Sequence, residues 1–202
     1  MNYAAWIFVG VFITFASSWL GLVFIPDLQL KDLQARREEA TGAVHPAPPT
    51  GEVLAGRQVY VESGCMYCHT QQVRGGDYNA DLNRGWGSRR SHPLDYVFDA
   101  PQLLGTMRTG PDLANIGVRQ PSTQWHYLHL YDPPITSPGS IMPPHKFLFE
   151  KRKIAGQPSP EALPLKDAWA VEPGYEVVPT ARARALVAYL KSLDQSYEID
   201  AD

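Results

Sequence analysis

The chain begins with an unbroken apolar run and then alternates short amphipathic segments with long polar, proline-rich ones. Residues 3–25 contain no charged side chain. As a helix this run would extend about 34 Å, enough to cross a hydrocarbon core of about 30 Å. A cleaved signal peptide and a buried soluble helix are the alternatives, but no basic segment precedes the run, and a signal's apolar region is shorter. We therefore expect a retained transmembrane anchor in residues 1–27.

Beyond the anchor, the pattern of apolar positions predicts helices and loops. Residues 27–40 are rich in charge and are interpreted as a short helix, followed by a proline-rich linker in residues 41–51. Apolar residues recur at helical spacing in three later segments, residues 52–63, 124–131 and 179–196. No strand-like alternation of any length is visible, and residues 141–144 fall in a loop. The sequence therefore predicts an all-α fold with long loops.

Composition narrows the possible functions. A chain of 202 residues suits one folded domain, which we place in residues 51–202, behind the anchor and a connecting segment in residues 28–50. The net charge of −3 provides no basic surface, so nucleic acid is not an expected partner. The only two cysteines, Cys65 and Cys68, cannot build a disulfide framework, so their chemistry must come from the pair itself.

The two cysteines lie in the run Cys65-Met66-Tyr67-Cys68-His69, which fits the C-x-x-C-H attachment site of a c-type haem. Two thiols at this separation on a helical turn can reach the two vinyl groups of one porphyrin as thioethers. The next residue then lies beneath the ring, where the imidazole of His69 can ligate iron. We expect one covalent haem c.

Two other uses of a C-x-x-C pair are possible. A thioredoxin-like redox pair belongs near a βαβ pattern, which is absent here. A structural zinc site needs a fourth ligand and usually a second close pair of ligands. The adjacent histidine favours haem over both.

Haem attachment also bears on the orientation in the membrane. Lys31, Arg36 and Arg37 lie just after the span, and such residues favour a cytoplasmic location for the C-terminal part of the chain. In bacteria, however, haem is attached to C-x-x-C-H motifs on the outer face of the cytoplasmic membrane. Because covalent attachment is a chemical requirement and loop charge only a tendency, we expect a periplasmic haem domain. The basic flank has no explanation at this point.

An electron-transfer haem needs a second axial ligand, and histidine–methionine ligation raises the reduction potential. The candidate sulfurs are Met66, Met107 and Met142. Met66 lies inside the attachment motif, on the wrong side of the ring. Met142 is followed by Pro143 and Pro144, which stiffen the loop that would present its sulfur, so we predict Met142 as the second ligand and Met107 as a packing residue. The other histidines are expected to be surface or hydrogen-bonded residues, and Trp125 a core residue.

The order of these parts resembles a class I cytochrome c: a helix, C-x-x-C-H, a Gly-Pro-x-Leu segment from Gly110 to Leu113, a Met-Pro loop and a closing helix. That resemblance implies that the Pro111 carbonyl accepts a hydrogen bond from the proximal His69. Four runs narrow the match further: YCHTQQVR, RTGPDLANIG, QWHYLHLYDP and IMPP. They look like the membrane-anchored monohaem subunit of cbb(3)-type cytochrome c oxidases.

This second resemblance implies a subunit of a respiratory haem–copper oxidase in the bacterial inner membrane. Such a subunit passes electrons from other c-type cytochromes to the catalytic subunit, where dioxygen is reduced, so this chain would not itself be the catalyst. Arg74 and Arg108 flank the haem motifs and are candidates to pair with the haem propionates, with solvated side chains as the alternative for each. Residues 71–105 and 143–178 match less clearly, and their role is open.

Two other functions stay open. The c-type cytochrome subunit of a nitric oxide reductase also combines one anchor with one haem. A membrane-anchored haem sensor or peroxidase would instead keep one axial position free, which the predicted Met142 ligand argues against.

Overall fold

A computed structural model describes residues 3–77 and 80–199. The α-helices are α1 (Ala4–Trp19), α2 (Ile25–Leu30), α3 (Gly51–Glu62), α4 (Ile116–Arg119), α5 (Thr123–Tyr131) and α6 (Ala181–Ser192). The strands are β1 (Arg36–Arg37), β2 (Val44–His45), β3 (Phe149–Lys153) and β4 (Tyr175–Pro179). Short 3₁₀ turns cover Cys65–Tyr67, Pro93–Tyr96, Pro133–Ile135, Lys146–Leu148 and Asp167–Trp169. The structure is mostly helical.

The N-terminal helix is long and apolar enough to cross a membrane. It runs without a break over Ala4–Leu30, with a mean hydropathy of 2.1 in its most apolar window. A π-helical turn, Leu20–Phe24, joins α1 to α2 directly before Pro26, whose ring cannot donate a backbone hydrogen bond. The side chains of α1 and of the π-turn are all exposed.

The predicted charged helix does not continue to residue 40. Helix α2 ends at Leu30, and β1 and β2 pair antiparallel, with Arg36 opposite His45 and Arg37 opposite Val44. Arg37 also donates from Nη1 to the Gly42 carbonyl at 2.8 Å. Arg37, one of the basic residues after the anchor that the sequence did not explain, therefore has a structural role in this hairpin. It also contacts the main domain, because the His45 ring stacks on Tyr197 at 4.9 Å.

The main domain is organised by the crossing of α3 and α6. Both helices begin within two residues of their predicted starts, and the hydroxyls of Thr50 and Thr180 accept hydrogen bonds from backbone amides in the first turn. The helices meet at Gly56, where a Cβ atom would lie 1.8 Å from the Ala185 carbonyl oxygen. A glycine therefore lets the two backbones approach directly. The Tyr60 ring packs near Tyr189, with ring centroids 5.3 Å apart, and extends the contact.

A single hydrophobic cluster joins these helices to α5 and to the sheet. Its buried members include Val59, Leu113, Ile116, Leu130, Leu148, Val177, Leu186 and Leu190. Met142 packs against this cluster from a loop. The three predicted helices of the domain are thus confirmed, with their apolar faces turned inward, except that α6 ends at Ser192 and does not continue to residue 196, because Leu193 is extended.

The prediction of an all-α fold is wrong in one respect. Strands β3 and β4 form a two-stranded antiparallel sheet in register from Phe149 opposite Pro179 to Lys153 opposite Tyr175. Four of the five side chains of β3 are exposed, whereas β4 is largely buried. Neither strand shows period-two alternation, because one faces water along most of its length and the other faces the core.

Replacing Gly56 with alanine tests the helix crossing. The new methyl group would overlap the backbone of α6, so we expect the free energy of unfolding to fall by about 1–3 kcal/mol or more. Gly51→Ala is the matched control, because Gly51 lies at the start of the same helix. A Cβ at this position would meet no other part of the protein within 4 Å. Denaturant unfolding of both variants provides the measurement. Equal stability of Gly56→Ala and the unmodified chain would contradict the close crossing.

Candidate cofactor site

The two cysteines lie on a tight turn directly after α3. The helix ends at Glu62, and Gly64 adopts a left-handed conformation with φ of 73°, which glycine tolerates without strain. A 3₁₀ turn then begins at Cys65, whose carbonyl accepts hydrogen bonds from the backbone amides of Cys68 at 3.1 Å and His69 at 3.0 Å. Both thiols are free. The turn therefore holds two thiols and an imidazole in one compact unit.

The imidazole of His69 has a fixed orientation. Its Nδ1 atom lies 2.7 Å from the Pro111 carbonyl oxygen. Since a carbonyl can only accept, Nδ1 must carry the proton, which leaves the lone pair on Nε2. Burial lowers the pKa of His69, and this outweighs the opposing effects of the Pro111 carbonyl and the Asp112 charge. The ring is therefore suited to act as a neutral nitrogen ligand.

A cavity of about 660 Å³ opens beside this turn. Its volume lies within the range of about 300–1,000 Å³ that is usual for small-molecule and cofactor sites. Five of the residues predicted for the site line it: Cys65, Cys68, His69, Pro111 and Met142. Its other walls are mainly apolar and aromatic, with Tyr60, Leu113, Ile116, Trp125, Leu130, Leu186 and Leu190 among them. The cavity thus brings together residues that are far apart in the chain, from Tyr60 to Leu190.

Gly110 is required for the histidine's position. A Cβ at this residue would lie 2.3 Å from Cε1 and 2.8 Å from Nδ1 of His69. The Gly110 amide also donates to the Cys68 carbonyl at 2.9 Å. The segment before Pro111 can therefore lie directly against the ring only because it has no side chain.

The structure does not bring Arg74 and Arg108 to the cavity wall. Arg108 donates to the carboxylate of Asp81 at 2.8 Å from both Nη1 and Nη2 and reaches Asp112 at 3.3 Å. Burial alone would lower the pKa of Arg108, but hydrogen bonds and charge from Asp81, with a smaller part from Asp112, raise it. The Arg74 amide donates to Asp81, while its side chain is exposed. The predicted pairing of Arg74 and Arg108 with haem propionates therefore gains no support from the lining of the cavity.

A different arginine, Arg119, lines the cavity and was missed by sequence reasoning. Its Nη2 donates to the Asp112 backbone carbonyl, while its buried Nε has no hydrogen-bond partner among the described residues. Burial lowers its pKa, with Asp112 opposing. A half-buried guanidinium with a buried, unused Nε donor in a mostly apolar cavity is suited to an anionic group. Its only signal in the sequence is a basic residue in RTGPDLANIGVR, eight positions after Pro111.

Two of the remaining histidines also face the cavity. His126 contacts the Gln120 carbonyl through Nε2 at 2.8 Å, and His129 contacts the Thr136 hydroxyl through Nδ1 at 2.7 Å. Burial, together with the neighbouring histidines to a lesser extent, lowers the pKa of His129 to about 4, so it is neutral at ordinary pH. Both agree with the expectation of hydrogen-bonded residues. Trp125 stacks on His129 at 4.6 Å and lines the cavity, where a core position was predicted.

The donor set fits a porphyrin better than a bare metal ion. Among residues 3–77 and 80–199, no group of three or more His, Cys, Asp or Glu side chains is placed to hold a metal. Burial raises the pKa of the Cys65 thiol to about 11, which favours the protonated thiol in the free chain. The cavity instead offers the two thiols, the imidazole of His69 and the thioether sulfur of Met142, together with the guanidinium of Arg119 for anions. These are the groups that a covalently bound, carboxylate-bearing iron porphyrin requires.

The chain matches the protein family described as "Cytochrome C oxidase, mono-heme subunit/FixO" over residues 3–166. The match spans the N-terminal helix, the C-x-x-C-H turn, the Gly110–Pro111 segment and the Met142 loop. None of the curated proteins matches the chain significantly.

Gly110→Ala tests the contact between the glycine and the histidine ring. The methyl group would displace the imidazole, so we expect the hydrogen bond to Pro111 to be lost and the free energy of unfolding to fall by about 1–3 kcal/mol. The measurement is the nuclear magnetic resonance signal of the His69 Nδ1 proton. Gly76→Ala is the control, because a Cβ at Gly76 would meet no other part of the protein within 4 Å, and it should leave that signal in place. An unshifted signal in Gly110→Ala would show that the ring is not held in this way.

Proposed function

This chain belongs to the family of mono-haem subunits of cytochrome c oxidase, and from that premise we propose that it relays electrons through one covalently bound haem c to the oxidase's catalytic subunit. Family membership establishes a single haem, a role in electron transfer and an oxidase partner. The covalent attachment, the two axial ligands, the direction of electron flow and the electron donors are the finer parts of the proposal. The donors we propose are other c-type cytochromes.

The observation that carries the proposal is the convergence of Cys65, Cys68, His69 and Met142 on one cavity. Cys65 and Cys68 would hold the haem by thioether bonds, and His69 and Met142 would be the axial ligands. A bound haem supplies a one-electron iron couple at this position. The protein's part is to exclude water with its apolar walls, to present Nε2 of His69, and to keep the second axial position filled. The arrangement of helices, C-x-x-C-H turn and Met-Pro loop supports a class I cytochrome c domain.

Arg119 is the residue we propose for the haem's carboxylates, in place of Arg74 and Arg108. Its buried Nε has no partner among the described side chains, and the cavity places it among otherwise mostly apolar residues. A charge-assisted hydrogen bond to a propionate would satisfy the buried Nε donor and neutralise the half-buried cation.

We further propose that the N-terminal helix crosses the bacterial inner membrane and that the haem domain faces the periplasm. The apolar helix supports a single-pass protein, and attachment of haem to C-x-x-C-H on the outer face supports the orientation. One basic residue after the anchor, Arg37, has a local role in the β1–β2 hairpin. Because Arg37 has this structural role, its position after the anchor is weaker evidence for a cytoplasmic haem domain under the positive-inside rule.

The two alternatives gain no support from the site. Nothing described favours the cytochrome subunit of a nitric oxide reductase over the oxidase subunit. A haem sensor or peroxidase needs a free axial position, and Met142 lies at the cavity wall where it can close that position.

Covalent attachment is tested by changing both thiols. In Cys65→Ala/Cys68→Ala, acidified acetone should extract all of the haem, because only axial ligation and packing remain. The unmodified protein should keep its haem through the same extraction. Met66→Leu is the matched control, since Met66 lies between the two cysteines but does not line the cavity, and it should keep haem as well. Complete extraction from the unmodified protein would rule out the thioether bonds.

The second axial ligand is tested by Met142→His. Imidazole is a stronger donor than a thioether and stabilises ferric iron, so the reduction potential should fall, on the order of 100–300 mV within the roughly 0.8 V that axial ligands span. Met107→His is the control, because Met107 is 58% exposed and does not line the cavity, and it should leave the potential unchanged. A redox titration decides between them. A fall in Met107→His and none in Met142→His would reverse the assignment.

A further inference from the structure

Asp112 is a fully buried carboxylate directly after Pro111. Its Oδ2 atom accepts hydrogen bonds from the Thr70 hydroxyl at 2.5 Å, the Gln72 amide at 2.9 Å and Arg108 Nη2 at 3.3 Å. Its Oδ1 atom accepts from the Ala114 amide at 2.8 Å. Every one of these partners is a donor, so the site is built for an ionised carboxylate.

These donors come from the two chain segments that meet at the histidine. Thr70 and Gln72 lie just after His69, whereas Ala114 belongs to the segment that contains Pro111. Two backbone hydrogen bonds run between the same segments, from Gly110 to Cys68 and from Leu113 to Thr70. The Asp112 carboxylate therefore connects the segment that follows His69 to the segment that contains Pro111, whose carbonyl is the hydrogen-bond partner of His69.

Arg108 completes this connection. Its Nε donates to the Thr70 hydroxyl at 2.7 Å, and its Nη2 donates to the Gln72 carbonyl at 2.7 Å. The Thr70 hydroxyl thus accepts from Arg108 and donates to Asp112. Asp81 holds the other side of the guanidinium. We call Thr70, Asp81, Arg108 and Asp112 the Asp112 cluster.

We propose that Asp112 is a positioning residue for the axial histidine: its carboxylate holds the Pro111 carbonyl on Nδ1 of His69 and thereby lowers the potential of the haem iron. This inference rests on the proposed function, in which His69 ligates the haem. A hydrogen bond at Nδ1 makes the imidazole a more basic ligand, and basic ligands favour ferric iron. The buried negative charge of Asp112 favours ferric iron in addition. The hydrogen bond and the charge therefore both lower the reduction potential.

The test is the reduction potential of Asp112→Asn in the full-length, haem-loaded protein. Asparagine has nearly the same shape, but its amide nitrogen cannot accept hydrogen bonds and it carries no charge. The ferrous form should become favoured by roughly tenfold, which is a rise of about 59 mV for a one-electron couple. The resonance of the His69 Nδ1 proton should shift at the same time, because the Pro111 carbonyl moves.

Asp95→Asn is the matched control. Asp95 also has a fully buried side chain, and it is held by Arg89 through two hydrogen bonds of 2.9 and 2.7 Å, but it has no contact with the histidine's segment among its described hydrogen bonds. Its replacement should lower stability and leave both the potential and the Nδ1 resonance unchanged. A merely structural Asp112 would behave in the same way as Asp95.

Thr70 provides a second test if Asp112→Asn does not fold. Thr70→Val removes the hydroxyl and keeps the shape, so it should raise the potential by less than Asp112→Asn, while Thr70→Ser keeps the hydroxyl and should restore the original value. An unchanged potential and an unchanged Nδ1 resonance in Asp112→Asn, or in Thr70→Val where only that variant folds, would overturn the proposal. If the unmodified protein carried no covalent haem, the proposed function would fail instead, and the Nδ1 resonance would still report on the positioning.

Discussion

The hydrogen bond between His69 and the Pro111 carbonyl decides which imidazole nitrogen faces the cavity, and the rest of the site depends on that choice. A carbonyl cannot donate, so the 2.7 Å contact leaves the lone pair on Nε2. The segment around Gly110 can lie against the His69 ring because glycine has no Cβ. The cysteines occupy the same turn as the histidine, so fixing the ring also fixes the edge of the cavity where the two thiols lie.

The helices supply the rigidity that this geometry needs. Helix α3 leads directly into the cysteine turn, and its crossing with α6 at Gly56 is close enough to exclude any side chain. Helix α6 in turn provides Leu186 and Leu190 to the cavity wall. The packing of two helices thus determines both where the turn begins and how apolar the opposite wall is, which is how a local C-x-x-C-H motif becomes part of a three-dimensional site.

The sequence was most informative where chemistry or helical periodicity dominates. The C-x-x-C-H motif, the Gly-Pro-x-Leu segment and the Met-Pro loop indicated five residues that line one cavity, and the family match confirmed the resemblance to an oxidase subunit. Strand β3 escaped prediction because its charged side chains face water, and its partner lies more than twenty residues away in the chain. The carboxylate partners of Arg108 could not be identified from the sequence, because only folding brings Asp81 and Asp112 to its guanidinium. The same limit applies to Arg119, whose buried Nε and missing hydrogen-bond partner are properties of the folded chain.

Every proposed role of the site depends on a single haem bonded to the two cysteines. The most direct test is the mass of the full-length chain after denaturation, together with the mass of the peptide that contains Cys65 and Cys68. We predict the 22.5 kDa polypeptide plus the mass of one haem, with the addition on that peptide. A denatured chain with the mass of the polypeptide alone would contradict covalent attachment.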